Sequence, residues 1–145
     1  MTDAAIDIWG ANRVGMHLAP RRDSHDMGDS DPAGTFGYVA RELGKRRIAF
    51  ICSREAVGED SLGPLLKQAF GGVYIANEKF SLEAAQAALD DGTADAIAWG
   101  KDFIANPDLP ERLRTGAPLN AQRPELFYAP GATGYTDDPA LQQAA

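Results

Sequence analysis

Four short apolar runs, separated by segments with helix-forming patterns, constrain the fold of this chain more than any other feature. They extend from Val14 to Leu18, from Ile48 to Cys52, from Val73 to Ala76 and from Ala96 to Trp99. Their starts are 34, 25 and 23 residues apart, which suits a strand followed by a helix. Nearly continuous apolar runs are typical of strands in parallel sheets that are covered on both faces. The pattern predicts alternating strands and helices.

The segments between and after these runs carry the start and stop signals of helices. Asp, Ser and Asn side chains can accept hydrogen bonds from the first free N–H groups of a helix, and proline fits its first turn. A glycine typically follows the last turn. The predicted helices begin at Asp31-Pro32, at Ser61 to Pro64, at Ser81 and at Asn106-Pro107-Asp108, and they stop at Gly44, Gly71, Gly92 and Gly116.

The resulting order of elements, β-α-β-α-β-α-β-α, predicts a parallel α/β fold. Such a chain forms either a small open sheet or part of a (β/α)8 barrel. With 145 residues it is too short for a complete barrel, which needs about 250. We expect residues 1–145 to form a single module, with residues 117–145 as an irregular tail because that segment is rich in proline and glycine.

Composition and charge argue against several partners and locations. A net charge of −7 disfavours binding to nucleic acid or to anionic lipid. No run approaches the roughly 18 apolar residues of a membrane-spanning helix, and the N-terminus lacks the basic and apolar regions of a signal peptide. The single cysteine, Cys52, excludes an intrachain disulfide and suits a reducing compartment. We therefore expect a cytoplasmic protein without nucleic-acid or membrane partners.

The residues that follow the last two apolar runs are candidates for a phosphate site, because ligands of parallel α/β folds meet the carboxyl ends of the strands. Asn77-Glu78-Lys79 and Gly100-Lys101 offer backbone N–H groups, two ammonium groups and a glycine that permits close approach. Solvated loop lysines are the alternative interpretation. The P-loop and G-x-G-x-x-G motifs of nucleotide-binding proteins are absent from the sequence.

Three further features have both a functional and a structural interpretation, and we expect the structural one. His17 lies within an apolar run, where a histidine is more often a hydrogen-bonded core group than a base. Cys52 closes an apolar run and no histidine is evident to activate it. The acidic segment with Asp23, His25, Asp26, Asp29 and Asp31 lacks EF-hand spacing, so we expect a solvated loop there and no metal.

The stretch from Trp99 to Leu113, WGKDFIANPDLPERL, closely resembles the last βα unit of the Old Yellow Enzyme family of FMN-dependent ene-reductases. The resemblance continues through residues 116–120, the pair Phe127-Tyr128 and residues 134–137. Upstream, residues 9–20, 48–55 and 71–80 are similar to the family's fifth, sixth and seventh barrel strands. The resemblance covers nearly the whole chain and depends on long strings of residues.

The resemblance implies a partial NADH:flavin oxidoreductase-type domain, namely the C-terminal (βα)4 half of a TIM (β/α)8 barrel. FMN would lie at the carboxyl face, take hydride from NAD(P)H and pass it to the activated C=C bond of an electrophilic alkene. Tyr128 would flank the substrate. The residues implied to bind FMN are His17, Asn77, Glu78, Lys79, Gly100 and Lys101.

Three of these positions depart from the family's pattern. His17 stands where the family usually has an arginine beside the flavin ring, and imidazole is mostly neutral at pH 7. Lys101 replaces a phosphate-binding arginine and lacks its bidentate fork. Glu78 replaces a glycine, and its carboxylate would disfavour phosphate unless the side chain turns away. We expect these changes to alter flavin affinity or reduction potential.

The family's substrate-polarising His/Asn or His/His pair and its proton-donor tyrosine belong to the fourth strand and the segment after it, which have no counterpart here. We therefore expect no catalytic residue in this chain and a need for a complementary N-terminal half-barrel. A half-barrel has two unpaired edges and an apolar inner face, which favour such a partner or self-association. The alternatives are a non-catalytic module that binds a phosphate-bearing ligand and a truncated remnant.

Overall fold

A computed structural model describes residues 1–21 and 28–141 of the chain. Each of the four predicted strands and four predicted helices is present, which confirms the α/β class. Two further helices, one before the first strand and one directly after the last, were not predicted as separate elements. The elements are α1 (Thr2–Trp9), β1 (Gly15–Leu18), α2 (Pro32–Lys45), β2 (Phe50–Arg54), α3 (Gly63–Phe70), β3 (Val73–Asn77), α4 (Leu82–Asp90), β4 (Ala96–Ala98), α5 (Lys101–Ala105) and α6 (Leu109–Thr115).

The four strands form one parallel sheet in the order β1-β2-β3-β4. His17 is paired with Cys52, Cys52 with Ile75, and Ile75 with Ala96, so these four residues form one row across the sheet. When every strand joins its predecessor through a right-handed crossover, the crossover helices all lie on one face. This sequential parallel order is that of a (β/α)8 barrel wall, as predicted.

The core lies between one face of the sheet and the helices. It includes Ile51 and Tyr74 from the strands, Leu43 from α2 and Leu66 from α3. Burial alternates along the strands, so that Ile51 is fully buried whereas the neighbouring Phe50 is 36% exposed. The expectation of strands covered on both faces is therefore wrong, because the core helices pack on only one face of the sheet.

Several of the predicted signals mark helix ends, but the predicted stop at Gly44 is wrong, because α2 continues through Gly44 to Lys45. Asp31 caps α2, where its Oδ1 accepts a hydrogen bond from the Gly34 N–H at 3.0 Å. Ser81 caps α4, and its Oγ accepts from the Ala84 N–H at 3.1 Å. Gly71 and Gly116, with φ of 69° and 67°, supply the left-handed conformation that ends α3 and α6.

The chain divides into two compact units, residues 1–98 and 99–145. Within the second unit, the C-terminal segment has a 3₁₀ turn at Pro124–Leu126 and little other regular structure in its described part. The buried guanidinium of Arg112 ties this segment to α6: it donates to Asp108 Oδ1 at 2.7 Å, to the Pro118 carbonyl at 2.6 Å and to the Pro139 carbonyl at 2.8 Å. Among the described residues, none of the helices has the length and apolarity to cross a bilayer.

Candidate functional site

The carboxyl end of β3 carries the first group of predicted site residues. Asn77 is the last residue of the strand, and its Nδ2 donates a hydrogen bond to the Ala98 carbonyl at 2.6 Å. The Asn77 carbonyl accepts from the Glu55 N–H at 3.1 Å. Asn77 therefore links the ends of three neighbouring strands and fixes where the following loop begins.

Glu78 and Lys79 leave β3 with positive φ angles of 97° and 59°. Residues with a Cβ rarely adopt this region, and glycine adopts it readily. The Glu78 Oε2 accepts a hydrogen bond from Arg54 Nε at 2.9 Å, and only 17% of the Glu78 side chain is exposed. The carboxylate is thus turned toward a cation that partly offsets its charge, while the Lys79 side chain is exposed.

Arg54 is a site residue that the sequence reasoning missed. Arg54 is the last residue of β2. It is paired in register with Asn77 of the neighbouring strand β3, and Asn77 directly precedes Glu78. The signal that could have identified Arg54 is the strand register, because it places residue 54 beside residues 77 and 78. Its effect is to hold the only acidic side chain of the predicted phosphate site in an ion pair.

His17 lies on β1 with its side chain on the face opposite the core helices. The residue is exposed, so the expectation of a core histidine is wrong. The error has a physical cause: the flanking apolar residues Met16 and Leu18 point to the covered face, and period-2 alternation directs His17 to the other one. Its register partner Cys52 is half-buried, and burial raises the pKa of the Cys52 thiol, which makes it a poor nucleophile.

The remaining predicted site residues belong to the second unit. Gly100 precedes α5, and a Cβ added at this position would meet nothing within 4 Å, so the space beside it is open. Lys101 begins α5 and is exposed. Tyr128 follows the 3₁₀ turn with φ of 63° and is 89% exposed. The structure thus places Tyr128, Gly100 and Lys101 in one unit and the β1 and β3 residues in the other.

The acidic segment predicted to be a solvated loop is described only in part. Asp23, His25 and Asp26 lie outside the described residues, whereas Asp29 and Asp31 lie at the start of α2. The Asp29 Oδ1 accepts a hydrogen bond from the Asp31 N–H at 2.7 Å. Across residues 1–21 and 28–141, no group of three or more His, Cys, Asp or Glu side chains could hold a metal ion.

Comparison with known proteins relates this arrangement to a group of reductases. The chain is 35% identical over 145 residues to the "Probable flavin mononucleotide-dependent alkene reductase" of Leishmania infantum, and this match covers 96% of the chain and 39% of the relative. It is 37% identical over 153 residues to 12-oxophytodienoate reductase 1 of Oryza sativa subsp. japonica, covering 97% of the chain and 40% of the relative. No family model matches the chain.

Solved structures give the same result. The structure of morphinone reductase in complex with tetrahydroNAD is 41% identical with a TM-score of 0.89, and the match covers 97% of this chain and 39% of that one. The old yellow enzyme homologue from Zymomonas mobilis is 37% identical with a TM-score of 0.91, covering 97% and 42% respectively. The chain spans about 40% of the length of the relatives it matches.

The fold and these matches define the class first: the chain consists of consecutive βα units of a parallel barrel wall, similar to part of a TIM-barrel oxidoreductase. Within that class, the resemblance deduced from the sequence is confirmed. Over the residues that it spans, the chain is similar to these reductases throughout and is consistent with a partial member of the Old Yellow Enzyme family.

Proposed function

We propose that this chain is the C-terminal half of an FMN-dependent NAD(P)H oxidoreductase that reduces the activated C=C bond of an electrophilic alkene, and that it acts together with a complementary N-terminal half-barrel. The observation that carries the proposal is the match of nearly the whole chain to morphinone reductase in complex with tetrahydroNAD, at 41% identity. The alkene reductase from Leishmania infantum, named as flavin mononucleotide-dependent, supports the same cofactor.

The chemistry of the strand-end residues fits a flavin phosphate. Lys79 and Lys101 are both exposed and can each place an ammonium group against a phosphate. The Glu78 carboxylate is paired with Arg54, which reduces its repulsion of an anion. Gly100 leaves open space for close approach of a ligand to the backbone. The loop residues Asn77, Glu78, Lys79, Gly100 and Lys101 would thus bind the phosphate end of FMN.

Two other residues would act near the ring system. FMN, when bound, supplies hydride transfer between a reduced nicotinamide and the alkene. His17 is exposed on the face of the sheet that the core helices leave free, and it would place an imidazole beside the flavin ring. Tyr128, 89% exposed, would flank the substrate with its ring and hydroxyl.

The free face of the sheet supports the need for a partner. It carries apolar side chains such as Phe50, which is 36% exposed, and Val73, which is 47% exposed. In the described sheet, β1 and β4 are the edge strands and each has one neighbour. A complementary half-barrel, or a second copy of the chain, would cover this face and pair these edges. The proposal includes a cytoplasmic location, which a single cysteine suits.

The test is a titration of the purified chain with FMN, followed by flavin fluorescence, with and without a separately expressed N-terminal half. That half is the part of the Zymomonas mobilis enzyme that this chain does not match. We expect the mixture to bind FMN and to oxidise NADH or NADPH in the presence of an activated alkene, and the chain alone to show no such turnover. Light scattering reports whether a one-to-one complex forms.

Lysine variants provide the matched controls. Lys79→Ala and Lys101→Ala should each weaken FMN binding by the mixture about tenfold, because each removes a charge-assisted contact to phosphate. Lys45→Ala, an exposed lysine at the end of α2, should leave the affinity unchanged. Failure of the mixture to bind FMN would refute the reductase proposal. FMN binding by the chain alone, with no activity in the mixture, would instead favour the non-catalytic module.

A further inference from the structure

A cavity lies between α3 and α4 on the helix-covered side of the sheet, within the first unit. Its volume is about 330 Å³. Small residues border it, since Gly63 begins α3 and Ala84 and Ala88 lie on α4. Phe80 adds an aromatic wall. The volume is at the lower end of the range for small-molecule sites, which is about 300 to 1,000 Å³.

Two hydroxyl groups from neighbouring strands border this cavity. The Ser53 Oγ is fully buried near the Tyr74 hydroxyl, but it makes no hydrogen bond of good geometry among the described residues. Tyr74, 2% exposed, comes from the adjacent strand, and its hydroxyl lies 3.0 Å from where a Cβ on Gly63 would stand. A buried hydroxyl that lacks a good hydrogen bond is unfavourable. A ligand group that forms a hydrogen bond with this hydroxyl would therefore be stabilised in the cavity.

The charges around the cavity determine the class of ligand. The Glu55 carboxylate is fully engaged: Oε2 accepts from Arg21 Nε at 2.7 Å and from the Leu62 N–H at 3.1 Å, and Oε1 accepts from the Ser61 hydroxyl at 2.8 Å. Asp91 lies exposed at the rim. Within residues 1–21 and 28–141, the residues that line the cavity include no lysine, arginine or histidine. Arg21 is occupied by Glu55, so an anionic ligand would find no available cation among the described lining residues, and a neutral ligand is favoured.

We propose that this cavity binds a neutral, mainly apolar small molecule that carries one hydroxyl or carbonyl oxygen, with the Ser53 and Tyr74 hydroxyls as its hydrogen-bond partners. The volume admits a molecule of about ten non-hydrogen atoms, at about 30 Å³ for each water-sized group. The alanines of α4 and the Phe80 ring contact its apolar part. This proposal is independent of the reductase proposal, since it concerns the opposite face of the sheet.

The test uses the full chain labelled with ¹⁵N and the probe cyclohexylmethanol, followed through the amide resonances of Ser53, Tyr74 and Ala84. We expect saturable shifts of these resonances. Ser53→Ala should weaken the affinity about two- to tenfold, the loss expected for one neutral hydrogen bond. Ala84→Leu should abolish binding by filling the cavity. Gln86→Leu adds an apolar side chain of similar size to the exposed side of the same helix and should leave the affinity unchanged.

Cyclohexanecarboxylate is the matched anionic probe and should bind at least tenfold more weakly. If Ala84→Leu does not fold, Ser53→Ala and Tyr74→Phe still decide the question. The proposal would be overturned by an absence of saturable shifts with cyclohexylmethanol, by equal affinity for the two probes, or by an affinity that Ser53→Ala and Tyr74→Phe both leave unchanged.

Discussion

Glu78 holds a backbone conformation that is unfavourable for a residue with a Cβ. Its φ is 97°, and its carboxylate forms an ion pair with Arg54 at 2.9 Å. A left-handed conformation costs about 1–2 kcal/mol for a non-glycine residue, whereas a partly exposed ion pair contributes about 0–1 kcal/mol. The conformational cost therefore outweighs the benefit of the pair.

We predict that Glu78→Gly is more stable than Glu78→Ala by about 1 kcal/mol. Both variants lose the ion pair, but only glycine relieves the backbone, and part of its gain is offset by the greater entropy of the unfolded chain. Urea unfolding of the two variants at pH 7 measures the difference. Equal stability of the glycine and alanine variants would show that the conformation at residue 78 carries no strain.

Tyr74 should make the stability of the protein depend on alkaline pH. Burial of the ring raises the pKa of Tyr74 from 10.0 to about 12, and the nearby Ser53 hydroxyl offsets only part of this rise. The folded state retains the phenolic proton more strongly than the unfolded state. The stabilisation is therefore complete below pH 10 and is lost as the pH rises toward 12.

We predict that Tyr74→Phe removes this part of the pH dependence, because phenylalanine has no proton to lose. The measurement is the free energy of unfolding in urea at pH 8 and at pH 11. The wild-type protein should lose more stability between the two than the variant does. Tyr38→Phe, a change at a tyrosine that is 60% exposed, is the control and should keep the wild-type dependence. An unchanged slope in Tyr74→Phe would contradict the prediction.

Among the secondary-structure elements, the helix caps show most directly how a single residue type determines where an element begins. Asp31 accepts a hydrogen bond from the Gly34 N–H at 3.0 Å, at the start of the 14-residue helix α2. We predict that Asp31→Ala lowers the free energy of unfolding by about 1 kcal/mol, the usual contribution of such a cap. Asp31→Ser retains an acceptor and should keep most of the stability, as measured by urea unfolding. A loss as large in the serine variant would mean that the side-chain cap is not the cause.

The element ends were predictable where a single residue type determines them. Asp31 and Ser81 open helices, and Gly71 and Gly116 close them, because capping and left-handed φ each depend on local chemistry. The five-residue helix α5 was not predicted, since so short a segment cannot show a helical period. Strand β2 begins at Phe50, two residues later than the apolar run suggests, because pairing with β1 and β3 decides where the ladder starts.

At the scale of the whole molecule, the sequence predicted the class of fold and the family but not what organises the C-terminal segment. Its proline and glycine content suggested an irregular tail, and its described part includes a 3₁₀ turn at Pro124–Leu126. The contacts that fix it come from Arg112 and Asn106, both buried polar residues in and before α6. Asn106 Oδ1 accepts from the Asn120 N–H at 2.7 Å, across 14 residues of sequence. Such long-range polar contacts leave no periodic pattern, so sequence reasoning could not find them.

This network leads to a prediction for the second unit. Arg112 is 4% exposed, and its guanidinium donates to Asp108, Pro118 and Pro139 at once. Asp108 in turn accepts from the Leu141 N–H at 2.7 Å, and Arg112 lowers the pKa of this carboxyl. Arg112→Lys keeps the positive charge but cannot reach three separate acceptors with the planar geometry of arginine. Hydrogen bonds from a charged donor contribute about 1.5–3 kcal/mol each, so losing some of these three is costly.

We therefore expect Arg112→Lys to expose the C-terminal segment by local unfolding. Hydrogen exchange at the Asn120 and Leu141 amides should become at least tenfold faster, because both amides donate to side chains of the same network. Amides of β2 and β3, such as Ile51 and Ile75, serve as the reference and should keep their protection. Arg114→Lys is the matched control, since Arg114 lies exposed on the same helix and pairs only with Glu111 among the described residues. If its exchange rates equal those of Arg112→Lys, the buried guanidinium does not anchor the segment, and its order comes from apolar packing instead.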